Sequence, residues 1–286
     1  MTMRFSGFLL IVLAILTSQA AKAADVTLYI NKGTVTIDEN SFSACSFNTI
    51  DTLNSANSII ELEMGEILNL TVINHDTLDH NLTIDGILES DNIVAAGGEA
   101  SFSFSFENPG TWRYYSDFSY GKLAGASGII LVGYSEMPHF FWNLFDLNKS
   151  LSTELANTTT SEIPADYQPE LFMINGTYYP YTLEDPSGKV DVDLGQEVII
   201  SVVNSGVMDH VLHFHGFHIE ILSAQIQSDR VGWIKDTVPL KSGEAMTFKL
   251  VADQEGVYPV HDHNLIAVTN TGFYPGGMLT QIQVNP

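Results

Sequence analysis

Six of the nine histidines lie in two short clusters in the second half of the chain. His213 and His215 stand two residues apart in the first cluster, and His261 and His263 stand two residues apart in the second. Side chains on a β-strand alternate between its faces, so each pair is expected to share one face. If the two strands are neighbours, four imidazoles converge. Neutral imidazole binds copper and zinc, so the spacing predicts a metal site.

Other polar residues surround these pairs. A lone histidine is most often an ordinary polar side chain, and that interpretation is favoured for His218, whereas His210 is intermediate. Asp209 and Asp262 stand beside the histidines and are candidates for relaying protons. Gly216 follows the first pair and leaves room for close approach of the backbone beside a crowded site.

The two halves of the chain are copies of one another. Gly65, Asn74 and His80 each match the same residue type 130 positions later. An ordered series of such matches is typical of a duplicated domain. Because the first copy is expected to fold without histidines at the matching positions, the four histidines indicate chemistry rather than a folding requirement. The first-copy residues opposite them are Thr83, Asp85, Tyr115 and Asp117.

Short β-rich runs separated by turn residues recur in both copies, for example Val26–Ile30 and Gly128–Val132. Many short strands with Gly, Pro, Asn and Asp between them predict an all-β protein of two tandem β-sandwiches. We expect a first domain at residues 24–133, a linker at 134–169 and a second domain at 170–286. The aromatic start of the linker is expected to pack against a domain.

The first 23 residues are predicted to be a signal peptide. Arg4 precedes an apolar run, and Ala21-Lys22-Ala23 fits the small-x-small rule for cleavage. The run is short for a membrane span, so an uncleaved anchor is the less favoured alternative. The mature protein is expected in the bacterial periplasm or secreted, and outside the membrane. A net charge of −23 repels phosphate backbones and argues against a nucleic-acid partner.

These motifs resemble the multicopper oxidase superfamily, whose members include two-domain laccases and copper nitrite reductases. The resemblance implies two cupredoxin-like Greek-key sandwiches. The pattern His210-x-x-His213-x-His215-Gly216 is similar to the family motif that serves the blue and trinuclear copper centres, and His261-x-His263 to its second half. Met173-Ile174-Asn175-Gly176 is similar to the usual opening strand of the second domain, and His263-Asn264-Leu265-Ile266 to a ligand segment of nitrite reductases.

The resemblance implies copper as the cofactor and assigns a role to each histidine. His213 would be a type 2 ligand, His210 a blue-copper ligand, and His215, His261 and His263 type 3 ligands. A complete oxidase has a cysteine between the histidines of the last pair, where this chain has Asp262, and a later histidine is replaced by Ala267. A carboxylate cannot replace the thiolate of a blue-copper site. The single cysteine, Cys45, lies far from both motifs and is interpreted as structural or incidental.

Three functions stay open. The favoured one is a copper-dependent oxidoreductase whose open coordination position takes a small molecule, with electrons from a redox partner protein or the substrate. The second is a non-catalytic copper-binding or copper-delivery protein, and the third is a partner-binding protein without metal. Zinc is an alternative occupant. Trimers are usual among two-domain relatives, so the resemblance implies a homotrimer, in which the first domain would bring Asp85 and Asp117.

Overall fold

The computed structural model describes residues 22–160 and 162–286, so the predicted signal peptide lies almost wholly outside the described residues. Within this part of the chain, strands dominate, and the helical segments are one short α-helix and three 3₁₀ turns. None of the described helices is long and apolar enough to cross a membrane. The α-helix is α1 (Lys149–Leu155), and the 3₁₀ turns are Gly121–Ala124, Tyr181–Leu183 and Ser228–Arg230. The strands are β1 (Ala23–Ile37), β2 (Asn40–Asn48), β3 (Ile59–Leu62), β4 (Ile67–Asn74), β5 (Thr83–Ile84), β6 (Glu99–Ser105), β7 (Gly110–Tyr115), β8 (Ser127–Val132), β9 (His139–Leu147), β10 (Leu171–Ile174), β11 (Val190–Asp193), β12 (Glu197–Asn204), β13 (His210–Phe214), β14 (Ile219–Ala224), β15 (Ile234–Lys235), β16 (Thr237–Leu240), β17 (Ala245–Val251), β18 (Gly256–Asp262) and β19 (Leu279–Asn285).

The first copy is a sandwich of two four-stranded sheets. Their strand orders are β2-β1-β4-β6 and β3-β8-β7-β5. The alternation along β4 shows why this segment is a strand with one buried face, because Leu68, Leu70 and Val72 are buried while Asn69 is exposed. These side chains join Ile130 and others in a core between the two sheets.

The second copy repeats this plan. Its sheets have the orders β10-β9-β12-β17-β14-β15 and β11-β19-β18-β13-β16. The strands of the two copies correspond in sheet order. The places of β2, β1, β4 and β6 are taken by β10, β9, β12 and β17. The places of β3, β8, β7 and β5 are taken by β11, β19, β18 and β13. Strand β14 and the edge strands β15 and β16 have no named counterpart in the first copy. The predicted all-β class of two tandem sandwiches is confirmed.

The segment 134–169, predicted as a linker, holds β9 and α1 instead of an open connection. Strand β9 pairs in parallel with β12 and antiparallel with β10, so the second sandwich begins at this strand. Both faces of β9 are buried, since Trp142 packs in the core of the second sandwich and Phe141 packs against Ile129 and Leu131 of the first copy. Burial on both faces explains why the strand is an aromatic run without alternation.

Small polar residues line the contact between the two copies. The Thr111 hydroxyl lies 3.1 Å from Ser201 Oγ and 2.7 Å from Thr247 Oγ1, and all three residues are buried. Ser127 and Ser205 share a further hydroxyl contact of 2.7 Å. Because each of these buried hydroxyls has a partner, the polar contact does not carry the cost of unpaired groups.

Candidate metal centre

The four histidines of the two predicted His-x-His pairs lie on, or directly after, two neighbouring strands. Strands β13 and β18 pair antiparallel, and His213 stands directly opposite His261 in their register. His215 and His263 follow at the ends of these strands, and the His263 amide donates a 2.6 Å hydrogen bond to the Val211 carbonyl. Between them Leu212, Phe214 and Val260 turn inward to the core. The alternation predicted from sequence therefore brings the two pairs to one face.

The imidazole rings of these residues are in contact distance of one another. The His213 ring centre lies 4.6 Å from that of His215, 5.7 Å from that of His261 and 5.6 Å from that of His263. The rings of His215 and His261 are 5.2 Å apart. His213 and His261 are half-buried, whereas His215 and His263 are exposed. We call these four residues the outer histidines; they form one cluster that is open to solvent.

Hydrogen bonds at Nδ1 leave the Nε2 atoms of two rings free. His213 Nδ1 lies 3.2 Å from the Asp236 carbonyl and 2.9 Å from Thr237 Oγ1. His261 Nδ1 lies 2.8 Å from the Asp262 carbonyl. A carbonyl only accepts, so in both rings Nδ1 is the donor and Nε2 keeps its lone pair. Such contacts fix the orientation and tautomer of metal-binding histidines.

Two ring nitrogens face each other within this cluster. The Nε2 atoms of His215 and His261 are 3.0 Å apart. Two imidazoles that share a tetrahedral ion, with bonds of about 2.0–2.1 Å, hold their nitrogens roughly 3.3 Å apart. Partial burial, and then the neighbouring His213 and His261, lower the pKa of His215, which favours the neutral form that binds metal. The cluster therefore fits a copper or zinc ion in its donor type, and the His215–His261 pair fits a shared ion in its spacing.

Gly216 shapes the backbone immediately after His215. Its φ is +78°, and a Cβ built there would stand 2.5 Å from the Tyr258 ring. The position needs glycine for both its left-handed conformation and its lack of a side chain. A groove of about 460 Å³ begins at this glycine and is lined by Phe217, His218, Glu220 and Lys249 among others. His218 thus lies in the groove rather than among the outer histidines.

His210 lies on the opposite, inner side of β13 and is fully buried. Its Nδ1 is 2.5 Å from Asp262 Oδ2, and its Nε2 is 3.3 Å from Asp146 Oδ2. Burial by itself would lower the pKa of His210, but the hydrogen bonds and charges of Asp146 and Asp262 outweigh burial and raise the pKa to about 9. Both ring nitrogens are therefore engaged by carboxylates, and the predicted blue-copper role of His210 stays a prediction.

The two candidate proton-relaying carboxylates lie away from the outer face. Asp262 is buried, and its Oδ1 accepts a 2.8 Å hydrogen bond from the Asn264 amide in addition to the contact with His210. Asp209 is exposed and is held by Lys241 Nζ at 2.6 Å, which lowers its pKa. Neither carboxylate contacts an outer histidine ring among the described hydrogen bonds, so a relay role stays a prediction.

The corresponding face of the first copy has a different chemistry. Thr83 stands opposite Tyr115 in the register that His213 and His261 occupy in the second copy. Tyr115 Oη donates a 2.8 Å hydrogen bond to Asp85, and the Arg113 guanidinium lies 3.7 Å from the centre of the Tyr115 ring. The ion pair between Arg113 and Asp85 and the cation–π contact between Arg113 and Tyr115 thus occupy the place of the outer histidines.

Two residues near the histidines of the second copy, Thr237 and Asp146, were missed from sequence, whereas Cys45 of the first copy was interpreted as structural or incidental. Thr237 lies on β16, the edge strand present only in the second copy, and nothing in its local pattern indicates a contact with His213. Asp146 is a buried aspartate in a mostly apolar, aromatic strand, and that contrast was a usable signal. Cys45 lies 3.9 Å from His80 Nε2 in the first copy. Burial, and then the charge of Asp76, raise the pKa of its thiol to about 12.

Residues 151–284 match the family model described as multicopper oxidase. A segment of 91 residues, 32% of this chain, is 35% identical to multicopper oxidase MmcO of Mycobacterium tuberculosis and spans 16% of the length of that protein.

Solved structures with the same fold cover nearly the whole chain. The blue copper oxidase from Nitrosomonas europaea aligns with a TM-score of 0.77 and 20% identity over 92% of this chain and 86% of that one. The copper nitrite reductase from Nitrosomonas europaea aligns with a TM-score of 0.70 and 16% identity, over 92% of this chain and 94% of that one. These matches confirm the predicted pair of cupredoxin-like sandwiches. Residues 151–284 therefore resemble the multicopper oxidase family, and the resemblance predicted from the histidine motifs is confirmed.

Proposed function

We propose that this protein is an exported copper-dependent oxidoreductase that uses the outer histidines to bind copper and acts on a small substrate. One observation carries the proposal: the Nε2 atoms of His215 and His261 face each other at 3.0 Å while His213 and His261 are fixed through Nδ1. Preset tautomers on neighbouring strands are typical of a metal site. The copper proteins among the relatives favour copper over zinc as the occupant.

The open face sets what the site can do. Bound copper would supply one-electron redox chemistry, and the chain would supply ligands and access. Since His215 and His263 are exposed, a small oxyanion or dioxygen can approach from solvent without a conformational change. The groove next to Gly216 offers a neighbouring surface on which Lys249 and Glu220 form an ion pair of 2.7 Å.

Electrons must enter this site without a cysteine ligand. Asp262 stands between the two histidines of the last pair, and its carboxylate is engaged by His210. We therefore propose that electrons come directly from the substrate or from a redox partner protein that docks on the outer histidines. This arrangement uses no second copper centre.

Export and assembly belong to the same proposal. The predicted leader supports a periplasmic or secreted location, where copper is available to an exported protein. A homotrimer would place the face of the first copy, with Asp85 and Asp117, against the outer histidines of a neighbouring molecule. In that assembly the carboxylates would contact the site from outside.

The test is copper content per chain after reconstitution, together with electron paramagnetic resonance. We expect about one copper with a type 2 signal, because imidazole nitrogens without thiolate give that class of site. His213→Ala and His263→Ala are expected to abolish the signal, while His218→Ala, a matched exposed histidine in the adjacent groove, is expected to retain it. Copper below about a tenth per chain in the unmodified protein contradicts the proposal.

A non-catalytic copper-binding or copper-delivery function is the second candidate. The observation that favours it is the exposure of His215 and His263, since ligands at the surface can pass an ion to another protein. Oxygen or nitrite consumption by the copper-loaded protein supports the oxidoreductase. Loss of copper to a competing acceptor without any turnover supports delivery.

A further inference from the structure

A second group of metal-binding side chains lies inside the first sandwich. Cys45 is on β2, and Asp76 and His80 lie on the connection between β4 and β5. The sulfur of Cys45 is 3.9 Å from His80 Nε2, which is 3.0 Å from Asp76 Oδ2. One potential ligand atom from each residue lies within 4.8 Å of the other two. This group shares no residue with the outer histidines.

The three residues are buried. Cys45 is 1% exposed, Asp76 is 3% exposed and His80 is 0% exposed. A thiol, a carboxylate and an imidazole that meet away from water form a donor set used for zinc in proteins. A solvated surface cluster of acidic groups does not have this combination of sulfur and nitrogen donors.

The separations fit a tetrahedral ion after small shifts. Bonds of about 2.3 Å to sulfur and about 2.0–2.2 Å to nitrogen and oxygen place the ligand atoms roughly 3.3–3.6 Å apart. The sulfur-to-nitrogen distance between Cys45 and His80 is 3.9 Å, and the nitrogen-to-oxygen distance between His80 and Asp76 is 3.0 Å. Each differs from the ideal range by a few tenths of an ångström.

Partners that orient such ligands are already in place. His80 Nδ1 lies 3.1 Å from Ser116 Oγ, which leaves Nε2 directed at Asp76 and Cys45. The Asp76 carboxylate accepts from Lys32 Nζ through Oδ1 at 2.6 Å and from Tyr120 Oη through Oδ2 at 2.6 Å. Metal-binding histidines and carboxylates in proteins are oriented by hydrogen bonds of this kind.

The second copy shows that the fold does not require this donor set. The second copy keeps the histidine as His210. The position two residues after the matched asparagine is Asp76 in the first copy and Gly206 in the second. Phe172 stands at the position of Cys45. Cys45 on β2 pairs with a residue of β1, and Phe172 on β10 pairs with the corresponding residue of β9. A sandwich of this type therefore forms without a thiol and a carboxylate at these places.

We propose that Cys45, Asp76 and His80 form a buried binding site for a thiophilic transition-metal ion of the zinc type. Binding forms one bond to the Cys45 sulfur, one to His80 Nε2 and one to Asp76 Oδ2. The thiol proton is released to solvent, and the proton that His80 Nε2 directs at Asp76 is replaced by one on Nδ1, which Ser116 Oγ accepts. The site is independent of copper at the outer histidines.

Cobalt absorption tests this site in the full chain. The protein with His213→Ala and His263→Ala is refolded from urea with Co²⁺ present, and in parallel Co²⁺ is added to the folded protein. We expect a near-ultraviolet thiolate-to-cobalt band that saturates near one Co²⁺ per chain and is bleached by Zn²⁺. Because the chain has a single cysteine, such a band belongs to Cys45. Two of the four outer histidines are removed and the band reports only sulfur bonded to cobalt, so the result does not depend on the proposed function.

Two variants sharpen the assignment. Asp76→Asn keeps the shape but loses the charge, and it is expected to weaken Co²⁺ binding by at least about tenfold. Asp79→Asn, an exposed aspartate nearby, is expected to leave binding unchanged. The proposal is overturned if no thiolate band forms in either sample, or if Asp76→Asn binds Co²⁺ as well as Asp79→Asn does. If Cys45→Ser does not fold, the spectrum of the parent protein decides.

Discussion

The two copies hold the same buried histidine by opposite arrangements of charge. In the first copy His80 contacts Asp76, which is neutralised by Lys32 from β1. In the second copy His210 contacts Asp146 from β9, and the position equivalent to Asp76 is a glycine. Lys32 on β1 and Asp146 on β9 occupy equivalent positions. In each copy one residue of this strand pairs with the matched asparagine at the end of the neighbouring strand, and Lys32 or Asp146 lies two residues after it. The strand position thus holds a cation, Lys32, in the first copy and an anion, Asp146, in the second.

This exchange shows how a duplicated fold keeps an interior position while its chemistry changes. A buried charge needs a compensating charge, but the fold does not specify which strand supplies it. In the first copy the anion comes from the loop and the cation from the strand. In the second copy the strand supplies an anion, and the histidine, whose pKa is raised to about 9, becomes the cation. Asp262 adds a second anion at the position where complete oxidases of the family have a cysteine.

Removal of Asp146 is the strongest way to break the arrangement in the second copy. Asp146→Ala leaves one fewer carboxylate beside the fully buried His210, and we expect a loss of about 3–5 kcal/mol in the free energy of unfolding. Asp191→Ala, an exposed aspartate on β11, is the matched control and is expected to change stability by less than about 0.5 kcal/mol. Urea unfolding monitored by tryptophan fluorescence measures both. Equal effects of the two variants contradict the buried role of Asp146.

The raised pKa of His210 predicts a pH dependence confined to the second copy. A histidine whose pKa is higher in the folded state stabilises the fold below its unfolded value of 6.5, and this contribution is lost as the pH rises through about 9. We expect up to about 3 kcal/mol of stability to disappear between pH 6.5 and 10. The comparison is between the metal-free protein and its His210→Gln variant in urea unfolding across that range. A stability difference between them that does not change with pH contradicts the charge assignment.

A substitution at Gly206 tests whether a side chain at this position and the Asp146 carboxylate exclude one another. A Cβ built on Gly206 would stand 2.0 Å from Asp146 Oδ2 and 3.0 Å from its Cγ. Gly206→Ala is therefore expected to destabilise the protein by about 1–3 kcal/mol through overpacking. In an Asp146→Ala background the side-chain clash is absent and only the 3.1 Å contact with the backbone nitrogen of residue 146 remains, so the same substitution is expected to cost less. A double-mutant cycle with no coupling between the two positions contradicts this explanation.

The clustering of the outer histidines on one face was predictable because its signals are local. His-x-His spacing defines a face on any strand, and the duplicated glycines and asparagines identify the strands that correspond in the two copies. The inner contacts were not predictable from such patterns. Asp146 lies in a segment whose aromatic content obscured its register, and its contact with His210 joins residues 64 positions apart. Cys45 and His80 meet only because β2 folds back on β1, which sequence spacing does not specify.

The smallest expected effect concerns β16, the edge strand that only the second copy has. The first copy has an isolated bridge between His80 and Val94 at this place, whereas β16 pairs with β13 and brings Thr237 Oγ1 to 2.9 Å from His213 Nδ1. Thr237→Val removes that oxygen with little change in volume. We expect copper affinity at the outer histidines to fall by about tenfold, because loss of such a contact frees the ring to rotate.

Competition with a chelator of known affinity measures this loss, and Thr237→Ser, which keeps the hydroxyl, is the control. Because Asp236 still offers its carbonyl at 3.2 Å from the same nitrogen, the effect should stay near the lower limit for contacts of this kind. If Thr237→Val and Thr237→Ser bind copper equally well, the carbonyl alone fixes His213. The added strand would then serve the site by its backbone, and no side chain of β16 would distinguish the second copy from the first.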